Sequence, residues 1–98
     1  MTESQIEKKL VTYCREQGLL TFKFASPANR GVPDRIIMGH GRVMFLELKR
    51  EGKTPTTLQY HCGKQITAAG VHWTWADSYA SARAAVDDFF ISAARGLI

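Results

Sequence analysis

Apolar and polar residues alternate in two different rhythms along the chain. In residues 3 to 17, Ile6, Leu10, Val11 and either Tyr13 or Cys14 recur every three or four positions, which predicts a helix. Thr2 can cap its start and Gly18 can end it. From Leu19 to Phe24 the period drops to two: Leu20, Phe22 and Phe24 share one face of a strand and Lys23 takes the other. Residues 25 to 32 hold Ser26-Pro27 and Asn29-Arg30-Gly31 and read as a loop. Two apolar runs, Ile36 to Met38 and Val43 to Leu46, then flank Gly39-His40-Gly41, which predicts a hairpin. Thr54 and Pro55 suit the cap and first position of a second helix, reaching about Ala69 with Leu58, Cys62, Ile66 and Ala69 as its buried stripe. Val71 to Ala76 alternates again, with Val71, Trp73 and Trp75 on one face. Ser78 opens a last helix over 79 to 94, whose apolar residues are Ala82, Ala85, Val86, Phe89 and Phe90. The order is α-β-β-β-α-β-α, an α/β chain in which the helix between the last two strands implies a parallel crossover.

The hairpin carries the chemistry. The start of one antiparallel strand lies beside the end of the next, so Asp34 and Glu47 become neighbours although they are far apart in sequence. Glu47 and Lys49 point to one face and Leu48 to the other. Two carboxylates this close repel unless a cation lies between them. An all-oxygen site of this kind suits Mg²⁺ or Mn²⁺, which can activate water against a phosphate while a nearby lysine assists.

Ninety-eight residues predict a single domain spanning 1–98, with no linker or repeat to divide it. The formal net charge is +4. The 13 basic groups against nine acidic ones favour a polyanionic partner. Cys14 and Cys62 form no metal-ligand spacing, and His40, His61 and His72 stand apart from any nucleophile or ligand partner. A polar N-terminus and the lack of a long apolar run point to a cytoplasmic protein without a membrane segment.

Pro33-Asp34 followed by Glu47-Leu48-Lys49 resembles the PD-(D/E)XK nuclease signature. Gly31-Val32-Pro33-Asp34-Arg35, then Phe45-Leu46-Glu47-Leu48-Lys49, then Gln59 resembles the VRR-NUC branch of that superfamily, over a stretch from Glu3 to about Ala82. The resemblance implies a restriction-endonuclease-like αβββαβ core, with a mixed sheet flanked by helices and an additional C-terminal helix. It implies a metal-dependent DNA endonuclease in which Asp34, Glu47 and the Leu48 carbonyl hold Mg²⁺, with Mn²⁺ as a substitute. Glu3 on the first helix would reach that site directly or through water, with Glu7 as an alternative. Lys49 and Gln59 would position the attacking water. Lys23, Arg30 and Lys53 are the candidates for phosphate contact. The resemblance further implies a homodimer acting on branched DNA such as Holliday junctions. Six large rings, Tyr60, Trp73, Trp75, Tyr79, Phe89 and Phe90, are many for so small a core, so an interface is expected there, at Phe89 or Phe90. A nucleic-acid-binding module without turnover is the alternative reading.

Overall fold

A computed structural model of the chain describes residues 1–91. Helix α1 (Glu3–Glu16) precedes strand β1 (Leu20–Lys23), the hairpin β2 (Arg35–Gly39) and β3 (Arg42–Leu48), helix α2 (Thr57–Ala68), strand β4 (His72–Ala76) and helix α3 (Tyr79–Val86). A π-helical turn over Asp87–Ile91 follows. The expected last helix over 79–94 therefore closes in a widened turn, and its residues 92–94 lie outside the described part of the chain.

The four strands form one mixed sheet in the order β1-β2-β3-β4. β1 and β2 run antiparallel, as do β2 and β3, whereas β3 and β4 are parallel. The hairpin turns through His40 (φ 52°) and Gly41 (φ 74°). Positive φ at both central residues is the backbone twist a tight two-residue hairpin needs, and it costs glycine nothing.

The core lies on one side of the sheet. Ile37, Met44, Leu46, Leu48 and Ala76 face Ile6, Leu10, Tyr13 and Cys14 of α1 and Ala82, Val86 and Phe90 beyond them. Each large side chain taken fully out of water contributes roughly 1.5–3 kcal/mol. The spacing Ala82, Val86, Phe90 continues the α3 stripe through the π-helical turn, so Phe90 is fully buried and takes no part in any surface. Phe89 is half-buried, stacked on His72 at 4.4 Å with Arg42 over its other face at 4.0 Å. Of the two rings expected at an interface, Phe90 is thus withdrawn into the core, whereas Phe89 keeps part of its surface in water. Arg83 lies over the Tyr13 ring at 4.3 Å, and the Tyr13 hydroxyl donates to Asp87, which ties α1 to α3.

On the other side of the sheet α2 packs against β4. Gly63 makes that approach close: a β-carbon there would meet the Trp73 ring at 2.4 Å. Tyr60 sets its edge against Trp73 and Trp75. The α2 stripe differs from the expected one. Cys62 and Gly63 are buried, Ile66 is half-buried, and Leu58 and Ala69 are exposed. The helix starts later than Thr54-Pro55 predicts, because Thr56 and Gln59 form a capping box: the Thr56 hydroxyl accepts the Gln59 N–H and the Gln59 carbonyl oxygen accepts the Thr56 N–H.

The free alternation of β1 also has an unexpected outcome. Thr21 faces the core, whereas Leu20 and Phe22 are 52% and 53% exposed.

Candidate functional site

Asp34 stands one step before the Arg35–Leu46 pair of the hairpin, and Glu47 one step after it. Antiparallel pairing therefore brings the two acids together at one end of the sheet. The Asp34 carboxylate accepts the Leu48 backbone N–H at 2.8 Å. In a strand the N–H and C=O of one residue point toward the same neighbouring strand, so the Leu48 carbonyl is directed to the Asp34 side as well.

Helix α1 brings the third acid. Oxygens of Glu3, Asp34 and Glu47 lie within 4.8 Å of one another. Glu7, one turn further along, is otherwise engaged: its carboxylate pairs with the Arg35 guanidinium at 3.3 Å and lies 4.0 Å from Lys23 Nζ. Arg35 is nearly buried and donates to the Thr21 hydroxyl as well. The pairing leaves Glu3, not Glu7, at the acidic cluster. Arg35 is a participant that sequence reading passes over. Its signal was an ionisable side chain at an inward position of β2, in phase with Ile37.

Glu47 is 2% exposed. Its Oε2 accepts the Gln59 amide N–H at 3.1 Å and lies 3.6 Å from Lys49 Nζ. Its Oε1 is buried with no hydrogen-bond partner among the described residues. Burial, then the charge of the neighbouring Asp34 carboxylate, push the Glu47 carboxyl up to about 8, and the Lys49 ammonium opposes the shift. A buried carboxylate with one orphaned oxygen, facing two further carboxylates, fits a hard divalent cation that accepts oxygen ligands. The donor set contains no thiol or imidazole, which matches Mg²⁺ or Mn²⁺ rather than a softer metal.

Gln59 is fixed at both ends. Its carbonyl oxygen is taken by the Thr56 N–H at 2.9 Å, so its NH₂ group is the end turned to Glu47. The loop before Asp34 supports the same helix turn: a β-carbon on Gly31 would come within 2.8 Å of the Leu58 carbonyl oxygen. Only glycine lets that loop lie so close to the start of α2. Lys49 is held by its backbone N–H, which donates to the Ala76 carbonyl at 2.9 Å. Its side chain is mostly buried beside Glu47.

A recess of about 180 Å³ beside the cluster is lined by Glu3, Ser4, Glu7, Lys23, Asp34 and Leu48. Of the three basic candidates, Lys23 borders this recess, while Arg30 and Lys53 are exposed and make no ion pair among the described residues. No described helix is long and apolar enough to cross a membrane. Cys14 and Cys62 are buried and unpaired, and burial pushes both thiols up, Cys14 to about 11. Neither has the low-pKa environment of a nucleophile.

No family model matches the chain. It is 41% identical over 69 residues to "Putative nuclease p44" of Acyrthosiphon pisum secondary endosymbiont phage 1, an alignment covering 69% of this chain and 74% of that protein. A solved structure of a VRR_NUC domain superposes with a TM-score of 0.82, over 92% of this chain and 100% of that one, at 19% identity. The chain therefore belongs to the family of the phage protein, and its fold is that of a VRR-NUC domain.

Proposed function

We propose that this chain is a single-domain metal-dependent DNA endonuclease that hydrolyses phosphodiester bonds. The observation that carries the reading is the convergence of three carboxylates, one with a buried unpartnered oxygen, beside a lysine on the same strand end. A name of the same kind on the phage relative supports it.

Asp34, Glu47 and the Leu48 carbonyl would hold Mg²⁺, or Mn²⁺ in its place, with Glu3 bound directly or through water. Such an ion supplies positive charge that polarises a phosphate oxygen and makes water more acidic. The chain's own groups do the remaining work. Lys49 Nζ, desolvated beside Glu47, orients the attacking water and balances negative charge as it develops on the phosphate. Gln59, locked by the capping box, holds the Glu47 carboxylate through Oε2 and leaves Oε1 without a partner among the described residues. The Leu48 N–H fixes the Asp34 carboxylate in the same way. A binding module without turnover would have no use for a buried lysine poised against a destabilised acid.

Lys23, Arg30 and Lys53 would neutralise phosphates along the DNA. Replacing all three with glutamine is expected to weaken binding about equally across sequences. The slope of log affinity against log salt should fall by up to about three, near 0.9 for each phosphate no longer neutralised. An unchanged salt slope in a filter-binding titration would return these residues to the solvated surface.

The substrate we favour is branched DNA, such as a four-way Holliday junction, cut by a homodimer. Symmetric cleavage of a junction needs two sites related by a two-fold axis. Labelled single-stranded, duplex, flap and junction DNA, each incubated with the protein and Mg²⁺, tests this. Junction cleavage at least tenfold faster than the rest supports the reading, and equal rates on all four would refute the branched preference.

A further inference from the structure

Glu3 reaches the acidic cluster by virtue of a contact one helical turn away. It is exposed and enters no ion pair among the described residues, so the helix that carries it decides where its carboxylate lies. Ile6, fully buried, holds the same turns of α1 to the core, but apolar packing has no direction of its own. Among the described residues, the polar links from α1 to the sheet all end on Glu7. Arg35 Nη1 donates to its carboxylate at 3.3 Å, and Lys23 Nζ lies 4.0 Å away. Lys23 and Arg35 stand directly opposite each other in the register of β1 with β2. Two like charges so placed repel unless an anion lies against both. Glu7 is that anion, and the sheet thereby specifies which turn of α1 stands over this pair.

Arg35 is the fixed member of the group. Its side chain is 10% exposed, against 70% for Lys23. Its Nε and Nη2 each donate to the Thr21 hydroxyl at 3.3 Å, and that hydroxyl donates to the Ile36 carbonyl at 2.9 Å. One edge of the planar guanidinium is thus locked to β1 while Nη1 is presented to α1. One residue before Arg35 stands Asp34. One turn before Glu7, about 6 Å along the axis at roughly 1.5 Å per residue, stands Glu3. These are two of the three acids that meet. A buried ion pair seldom adds net stability over apolar side chains of similar size, so placement accounts for this one better than stability does.

We infer that Arg35 is a positioning residue for the acidic cluster: by clamping Glu7 it fixes the first turns of α1 and so delivers Glu3 to Asp34 and Glu47. The inference rests on the metal-site reading of the cluster, and its test does not require cleavage.

Calorimetric titration of the wild type and of Arg35→Met with Mn²⁺ tests it, because charge and position act with opposite signs. Removing a cation near three carboxylates would by charge alone tighten Mn²⁺ binding. Losing the clamp weakens it, and the dissociation constant should rise about tenfold, the low end of what losing a partner that orients a metal ligand costs. Glu3→Gln should cost a similar factor. The double variant Arg35→Met/Glu3→Gln should then bind within about threefold of either single one, since both changes act through one carboxylate, whereas independent losses would multiply to about 100-fold. If Arg35→Met loses its fold, Arg35→Lys decides. It keeps the charge, but an ammonium cannot hold Thr21 and Glu7 in the forked geometry, so its dissociation constant should rise at least about threefold. A folded Arg35→Met that melts lower yet binds Mn²⁺ as tightly as the wild type, or more tightly, has lost only a structural contact and overturns the inference. Losses that multiply in the double variant overturn it too. A wild type that binds Mn²⁺ but leaves DNA uncut overturns the nuclease reading alone, and one that binds no Mn²⁺ overturns both.

Discussion

Lys49→Ala is expected to lower DNA cleavage by about 10³-fold at saturating Mg²⁺, the size of effect seen when a positioned group facing developing charge is removed. The backbone of residue 49 stays anchored to Ala76 in this variant, so the strand end should not move. Metal binding should survive, because Asp34, Glu3, the Leu48 carbonyl and Glu47 are all still present. Affinity for Mn²⁺ should nevertheless fall modestly near neutral pH. The ammonium opposes the upward push on the Glu47 carboxyl, so its loss makes a proton compete more strongly with the ion. Calorimetric titration with Mn²⁺ and a single-turnover cleavage assay separate the two effects. Cleavage within a few-fold of wild type would remove Lys49 from the mechanism.

The second large effect concerns Glu47. Its carboxyl is raised from about 4.5 in the unfolded chain to about 8 in the folded one, chiefly by burial and next by Asp34. Between those values the folded state binds more protons than the unfolded state. Without divalent metal, stability should therefore be greatest below the unfolded value, fall as pH rises through the window and level off above about 8. Glu47→Gln replaces the strained carboxylate with a neutral group of the same shape, whose oxygen can still accept from Gln59. In chelator at pH 7.5 the variant should melt several degrees above the wild type, and the fall between pH 5 and 8 should flatten. Mg²⁺ at about 100 times its dissociation constant should raise the wild-type melting temperature by roughly 10 °C or more, since that occupancy contributes about 2.7 kcal/mol. The variant should lose most of that response together with cleavage. Thermal melts across pH, with and without metal, would contradict this picture if Glu47→Gln were the less stable protein in chelator.

The acid pair was legible in sequence because a hairpin has only one simple register. Once Gly39-His40-Gly41 is read as the turn, Asp34 and Glu47 must meet. The Thr2 cap of α1 and its buried stripe were legible for a similar reason, since helix period and capping are local. Choices between two plausible local signals were harder. Thr54-Pro55 is a good helix start, yet the reciprocal bonds of Thr56 and Gln59 satisfy two otherwise unpaired N–H groups and fix the start two residues later. The same choice sets which way the Gln59 amide points.

How far each helix covers its face of the sheet was not legible. Alternation says that Leu20 and Phe22 share a face, but whether a helix will cover that face depends on where the connections run. α2 returns over β4 and stops short of β1. Phe89 and Phe90 illustrate the converse. Six large rings in so small a chain suggested a surplus at the surface, whereas the π-helical turn delivers Phe90 to the core, and Phe89 is half-buried between His72 and Arg42. Arg35 was hidden because a buried cation is readable only with its partners, and Glu7 and Thr21 come from two other elements.

The metal-dependent cleavage claimed for the Glu3–Asp34–Glu47 cluster is tested most directly by one assay: labelled junction DNA incubated with the wild-type chain in Mg²⁺, and in parallel with excess chelator. We predict cleavage in Mg²⁺ and none in chelator, restored when Mg²⁺ is returned in excess. Cleavage at full rate in chelator, or none under any divalent ion, would contradict the account.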